Sequence, residues 1–248
     1  MVTRAIDIKG LRVAYDETII LNGIDAHVDS GEIAIVLGSS GCGKSTLLKT
    51  IIGLVQPQAG QIQVLGQDAI ALEDEARDAL SRRLGVMFQY GALLNSLTIG
   101  ENIALPLEMH TDLEPALIAE IVRTRLALVG LSHAYDLFPN ELSGGMRKRA
   151  ALSRAMVLDP EILFCDEPGA GLDPVTAAEI DDLLLTLNRE LGTTIVIVTH
   201  ELLSIERLDG RLIMLDQGRV AYTGDVAEAK RCDHPIVHPF FHPGGPPT

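Results

Sequence analysis

EIAIVLGSSGCGKSTLLKTII, residues Glu32–Ile52, changes character twice along its length. It begins as a continuous apolar run, Glu32–Gly38, the pattern of a strand covered on both faces of a parallel sheet. It ends with Leu47, Leu48, Ile51 and Ile52 on one helical face, with Gly53 following as a cap. Between them lies GSSGCGKS (Gly38–Ser45), a match to G-x-x-x-x-G-K-[ST] at a strand-to-helix junction, where that pattern acquires its physical meaning. The glycines Gly38, Gly41 and Gly43 let backbone N–H groups around Ser39, Ser40 and Cys42 turn inward about phosphates. The helix N-terminus at Lys44, Ser45 and Thr46 adds partial positive charge. Lys44 is expected to reach the β- and γ-phosphates of a nucleotide, and Ser45 to ligate Mg²⁺. A chance glycine-rich turn would not come with a buried strand before it and an amphipathic helix behind it.

Two further runs repeat the buried-strand pattern, EILFCDE (Glu161–Glu167) and TTIVIVTH (Thr193–His200). LGVMFQ (Leu84–Gln89) and RLIMLD (Arg211–Asp216) also read as strands. Helical spacing marks Pro115–Leu131 and Thr176–Leu191, so strands and helices alternate. That order argues an α/β fold with a mainly parallel sheet. Ala5–Lys9, Leu11–Tyr15 and Gly23–Val28 alternate apolar and polar residues instead, as antiparallel strands with one wet face do. No internal repeat is visible. The stretch His234–Thr248, rich in Pro, Gly and His, is expected to lack regular structure.

The chain has 248 residues, 47% of them hydrophobic, enough for a sizeable core without cross-links. Its formal charge of -14, from 34 acids against 20 bases, disfavours a nucleic-acid partner. Cys42, Cys165 and Cys232 are scattered and odd in number, as reduced thiols in a cytosolic protein are. Met1–Ala14 lacks the apolar core of a signal peptide. No apolar run approaches the length that crosses a bilayer, so any service to a membrane is expected from outside it.

Two adjacent acids, Asp166 and Glu167, end a buried strand in a chain that also carries the phosphate loop. Asp166 is placed to hold the Mg²⁺ shell and Glu167 to polarise the attacking water. His200 ends another core strand, at the edge where the strands would converge on the γ-phosphate.

LSGGMRKRAALSRAMVLDPEILFCDEP (Leu142–Pro168) follows. Ser143 reads as the cap of a helix whose N-terminus, with the amides of Gly144 and Gly145, presents donors to an anion. With this stretch the chain resembles the ATP-binding-cassette (ABC) ATPases over nearly its whole length. LSGGM is similar to the family's signature motif, with Met146 where glutamine is commonest. The resemblance implies a P-loop NTPase fold with a RecA-like core, an antiparallel β-subdomain and an α-helical subdomain at about 90–158. These form one domain over 1–233, followed by the tail 234–248. It implies that two cassettes sandwich two ATP molecules, each signature motif meeting the γ-phosphate held by the other copy. It further implies that Tyr15 stacks on adenine and that Gln89 is the Q-loop glutamine, serving catalysis and the metal. His200 is then the switch histidine, and Asp173 in GAGLDP (Gly169–Pro174) the D-loop aspartate. Arg147, Lys148 and Arg149 then belong to the signature-helix interface, or else to a solvated face.

A single cassette without a membrane span resembles the detached ATPase subunit of a bacterial transporter, peripheral on the cytoplasmic face of the inner membrane. The apolar stretch FQYGALLNSLTIGENIALPLE (Phe88–Glu108) then becomes the docking segment, near 89–108, for a membrane permease. Leu93, Leu94, Leu97, Ile99, Ile103 and Leu105 would supply its apolar surface and in part the subdomain's own core, which is a fair competitor for Ile103 and Leu105. This stretch and FPNELSGGMRKRAALSRA (Phe138–Ala155) are most similar to the ATPases of Mla-type phospholipid transporters. Such systems imply an MCE-domain protein and a periplasmic lipid carrier as partners. Glycine-betaine and oligopeptide importers share parts of the pattern, and a non-transport ATPase acting on nucleic acid or ribosomes is the remoter alternative.

Overall fold

Alternating burial along Arg4–Tyr15 (β1) and Thr18–Asp29 (β2) gives a long antiparallel ribbon. The structure, a computed structural model, describes residues 3–242. Ala5–Lys9 and Leu11–Tyr15 belong to one strand, not two. Gly10 takes φ 57° at a register shift between Ile8 and Leu11, so the strand bends without ending. Ala59–Val64 (β4) and Gln67–Asp68 (β5), with no counterpart among the strands read from the sequence, complete a sheet in the order β2-β1-β4-β5.

The larger sheet contains Ile33–Gly38 (β3), Leu84–Met87 (β6), Ile162–Asp166 (β7), Thr194–Val198 (β8), Arg211–Asp216 (β9) and Arg219–Gly224 (β10). Its order is β10-β9-β3-β8-β7-β6, parallel throughout except for β10. Period-two alternation divides its cargo between two faces. Ile162 and Phe164 of β7 pack with the β1–β2 sheet and with Leu47 and Leu48 of Lys44–Ile51 (α1). Leu163 and Cys165 face the opposite way, towards Leu152 of Gly144–Ala155 (α5) and Ile180 of Pro174–Leu191 (α6). Gly53 follows α1 at φ 79°, in the left-handed conformation expected of a helix stop.

A separate core joins Ile99–His110 (α3), Pro115–Leu128 (α4) and α5 through Ile103, Val122, Leu126 and Ala150. α3 starts in a capping box: Thr98 Oγ1 accepts from Glu101 N–H at 3.2 Å, and Glu101 Oε2 accepts from Thr98 N–H at 2.7 Å. Asn102, wholly buried, accepts from Leu94 N–H at 2.7 Å and donates to the Leu94 and Thr98 carbonyls, pinning the loop before the helix. This packing revises the docking segment. Ile99 and Ile103 are 0% exposed and belong to the core, because they lie on the α3 face turned to α4 and α5. Leu93, Leu97 and Leu105 are half-buried, whereas Leu94 is exposed and Tyr90 is 89% exposed.

The tail also departs from its reading. Val237–Phe241 forms a short helix (α9) whose Val237 and Phe241 are buried against the α6 side of the large sheet. Their apolar side chains outweigh the neighbouring prolines. The Gly/Pro end, 243–248, lies outside the described residues. Among the described residues no helix is long and apolar enough to cross a membrane, and Cys42, Cys165 and Cys232 are free thiols.

Candidate active site

Parallel register brings the carboxyl ends of the central strands level, with Met87 opposite Cys165 and Asp166 opposite Val198. Chemistry collects outside such an edge because every loop there leaves the sheet in the same direction. A cleft of about 750 Å³ opens at this edge, lined by Gly38, Ser39, Ser40, Gly41, Lys44, Ser45, Gln89, Glu167 and His200. Six positions of the loop and three residues just past the ends of β6, β7 and β8 therefore share one space.

The loop turns sharply because Gly38 sits at φ 147°, where a side chain would strike the Leu215 carbonyl and Cys42 Sγ. Cys42 and Gly43 are buried beneath the loop, and Thr46 is half-buried in the first turn of α1. Lys44 Nζ donates to the carbonyls of Gly38 at 2.8 Å and Ser39 at 3.0 Å, so its ammonium already bends over the loop.

Asp166 is buried, and its Oδ1 has no hydrogen-bond partner. Burial, with repulsion from Glu167, pushes its carboxyl above the usual range, partly offset by Lys49, the Ser45 hydroxyl and Lys148. An orphaned buried oxygen beside a serine hydroxyl offers two of the oxygen ligands that a hard divalent cation takes. Glu167 stands at φ 51°, its N–H donating to the Val198 carbonyl at 2.8 Å. Its Oε1 lies 2.7 Å from His200 Nδ1, and its Oε2 is buried without a partner. The His200 side chain is 64% exposed, so it is no packed core residue.

The remaining expected residues lie elsewhere. Tyr15, 47% exposed at the end of β1, is not among the residues lining this cleft. Ser143 caps α5, its Oγ accepting from Met146 N–H at 3.3 Å. Gly144 opens into a second, smaller cleft with Gln89, Tyr90, Lys148 and Ala170–Leu172, and Gly145 packs on Thr176. Asp173 caps α6, accepting from the Val175 and Thr176 N–H groups and from Thr176 Oγ1 at 2.6 Å. The Thr176 hydroxyl is the main reason its carboxyl titrates below the usual range.

Several features were not legible in advance. Ile236, Pro239 and Phe240 also line the phosphate-loop cleft, and the apolar letters within HPIVHPFF were the available signal. Lys148 is 8% exposed, so the basic run is not a solvated face at its centre.

A family model described as ABC transporter matches residues 21–170. The chain belongs to that family, and it is an ATP-hydrolysing cassette. The probable ribonucleotide transport ATP-binding protein mkl of Mycobacterium leprae is 39% identical over 238 residues, covering 96% of this cassette and 69% of that protein. The methionine import ATP-binding protein MetN of Caulobacter vibrioides is 42% identical over 226 residues, covering 90% and 64%. The cassette thus spans about two thirds of the length of these relatives. Among solved structures, a dimeric ATP-binding cassette in a post-hydrolysis state with ADP and Pi superposes with TM-score 0.83 at 29% identity, covering 89% of this chain and 98% of that one. A Clostridium perfringens cassette, part of the cbiONQ transporter complex, does so with TM-score 0.83 at 29% identity, covering 91% and 90%. The α/β core is therefore the P-loop NTPase fold of ABC cassettes.

Proposed function

We propose that two copies of this cassette enclose ATP between them and drive a membrane permease that moves phospholipid between the inner and outer membranes of a bacterium. The observation that carries the two-copy part is that Ser143, Gly144 and Gly145 do not line the cleft of the cassette's own phosphate loop, while Gly144 opens into another. A full set of phosphate contacts then needs the signature motif of a second copy.

In this reading residues 1–233 are one ATPase domain with a helical subdomain at about 90–158. Tyr15 stacks on adenine, and the amides of Ser39–Thr46 surround the phosphates. Lys44 releases the Gly38 and Ser39 carbonyls and donates to the β- and γ-phosphate oxygens. Ser45, Gln89 and Asp166 fit an Mg²⁺ ion, since Asp166 keeps a buried oxygen without a protein partner. Such an ion, when bound, supplies positive charge against the β- and γ-phosphates. The oxygen of a water attacks the γ-phosphorus as the bond to the β–γ bridging oxygen breaks. Glu167 Oε2, free of partners, takes the proton, while His200 Nδ1 fixes the carboxylate through Oε1. Asp173 faces the second copy. ATP drives closure to the extent that it binds the shut pair more tightly than the open one.

In this reading Tyr90 and Leu94, both exposed, form the apolar head of the permease-docking segment, and the cassette sits on the cytoplasmic face of the inner membrane. The lipid cargo, the MCE-domain partner and the periplasmic lipid carrier rest on the Mla-like character of Phe88–Glu108 and Phe138–Ala155. Identity of 42% to a methionine import ATPase favours a small-solute importer as the second reading. Pull-down in mild detergent, with co-purifying subunits identified by mass, separates the two. A permease with an MCE-domain protein supports the lipid reading, and a permease with a soluble solute-binding protein replaces it with the importer. Ribosomes or DNA in the eluate would overturn both.

A further inference from the structure

Lys148 lies on the second turn of α5, between two arginines that are both more exposed than it is. Arg147 donates to the Leu142 carbonyl at 2.7 Å, and Arg149 approaches Glu179 at 3.8 Å. Lys148 turns inward and is 8% exposed. Its ammonium donates to the Glu167 carbonyl at 2.8 Å and to the Gln89 carbonyl. Among the described residues it makes no ion pair with a carboxylate. Burial lowers its pKa, opposed first by the charge of Glu167 and then by that of Asp166. Burying an ammonium is costly, and here its donors go to two main-chain oxygens that belong to the cleft.

The Glu167 carbonyl is a consequential partner. Glu167 is a side-chain-bearing residue in the left-handed region at φ 51°, a conformation that L-residues disfavour and that surroundings must hold. The Val198 carbonyl fixes the peptide before it by accepting the Glu167 N–H. Lys148 fixes the peptide after it. With both peptides anchored, the Cα–Cβ bond has one direction, and that direction brings Oε1 to 2.7 Å from His200. The same ammonium anchors the main chain at Gln89, whose side chain lines the cleft.

We propose that Lys148 is a positioning residue for hydrolysis: by bridging the Glu167 and Gln89 carbonyls it aims the general base and ties it to the helix headed by Ser143. The proposal rests on the reading of Glu167 as the base. Movement of α5 when its N-terminus meets the second copy's nucleotide then reaches the cassette's own Glu167 through one side chain. Lys148 touches no substrate.

Basal ATPase assays on the full chain test this with Lys148→Met, which keeps the stem and removes the donors. Turnover is expected to fall roughly 10- to 100-fold, with KM and the Kd for a fluorescent ATP analogue changed less than about threefold. Lys148→Arg, which keeps cationic donors at similar reach, is expected to recover most of the loss. In a Glu167→Gln background Lys148→Met should add almost nothing, because the group it aims is already gone. Lys148→Gln serves as the neutral replacement, with the same kcat-against-KM split, should the Met variant not fold. Full turnover in the neutral variants, a loss carried by KM, or an additional tenfold drop in the Glu167→Gln background would each overturn the proposal. If Glu167→Gln itself turns over normally, the reading of Glu167 fails first, so the two failures are distinguishable.

Discussion

Two glycine-rich helix N-termini in this cassette offer the same local chemistry and reach different ends. At α1, Gly38–Gly43 wraps a large cleft, Lys44 bends over the loop, and Glu167 and His200 stand opposite. At α5, Ser143 caps the helix and Gly144 opens towards a smaller space beside Gln89 and Ala170–Leu172. The one lysine near that terminus, Lys148, is turned inward to main-chain carbonyls and offers nothing to an anion outside. Helix-end amides attract anions at either place. Only at α1 does the strand edge bring a cation, acids and a histidine, Lys44, Asp166, Glu167 and His200, beside the helix end. In the proposed reading the α5 end is one half of a site whose other half is the α1 end of another copy.

Substitutions separate the two termini most sharply through turnover. Glu167→Gln is expected to lower kcat on the order of 10²- to 10⁴-fold, the range of general-base catalysis, while ATP binding survives. Rapid turnover by that variant in a phosphate-release assay would remove the distinction between the two ends. Lys44→Ala should weaken ATP by about 10- to 100-fold in isothermal titration, from the loss of charge-assisted hydrogen bonds worth roughly 1.5–3 kcal/mol. Unchanged affinity would mean that the α1 loop is no phosphate cradle.

The framework behind the second terminus can be probed by pH. Asp181 on α6, 2% exposed with Oδ1 unpaired, is pushed up to about 6 by burial, partly offset by Ser204 and Arg207. The fold therefore holds a proton there that the unfolded chain releases near 3.9. Its penalty is absent below that value, grows between about 4 and 6, and is complete above 6. Asp181→Asn should raise stability at pH 7.5 by about 1–3 kcal/mol and change little at pH 4, as thermal melts at the two pH values would reveal. Equal shifts at both would exclude titration as the cause.

Ser143→Ala removes a cap worth about 1 kcal/mol. It is expected to slow turnover several-fold without altering ATP affinity of the single cassette. Weakened binding by the isolated chain would place the α5 end in the cassette's own site and break the comparison. The smallest effect belongs to Tyr90→Ser with Leu94→Ser, surface changes expected to leave basal ATPase within about twofold while abolishing co-purification of a permease. Retained co-purification would move the docking surface elsewhere.

Much of this was legible because it is local. The phosphate loop, the Ser143 cap and the paired acids each declare themselves within a few residues of their own sequence. Ile99 did not, since an apolar residue in the segment after Gln89 reads as surface for a partner until its neighbours are known. The contact with α4 and α5 settled it. Gly10 hid one continuous strand because glycine reads as a break unless the neighbouring strand shows that the ladder resumes. In the tail, prolines outvoted Val237 and Phe241 until the sheet beneath them supplied a surface to bury on. Lys148 was unreadable for the strongest reason: its carbonyl partners lie 59 and 19 residues away.

The amino-acid order by itself determined the chemistry on offer: a phosphate loop between a buried strand and a helix, two acids, a histidine and a capped helix end. Such features depend on hydrogen bonds and side-chain periodicity within a turn or a strand. Tertiary structure decided which of them meet. Strand register alone levels Gly38, Asp166 and His200 at one edge and leaves Ser143 outside it. Whether a lysine faces water or the main chain of its own active site depends on what packs against its helix, and periodicity carries no record of that.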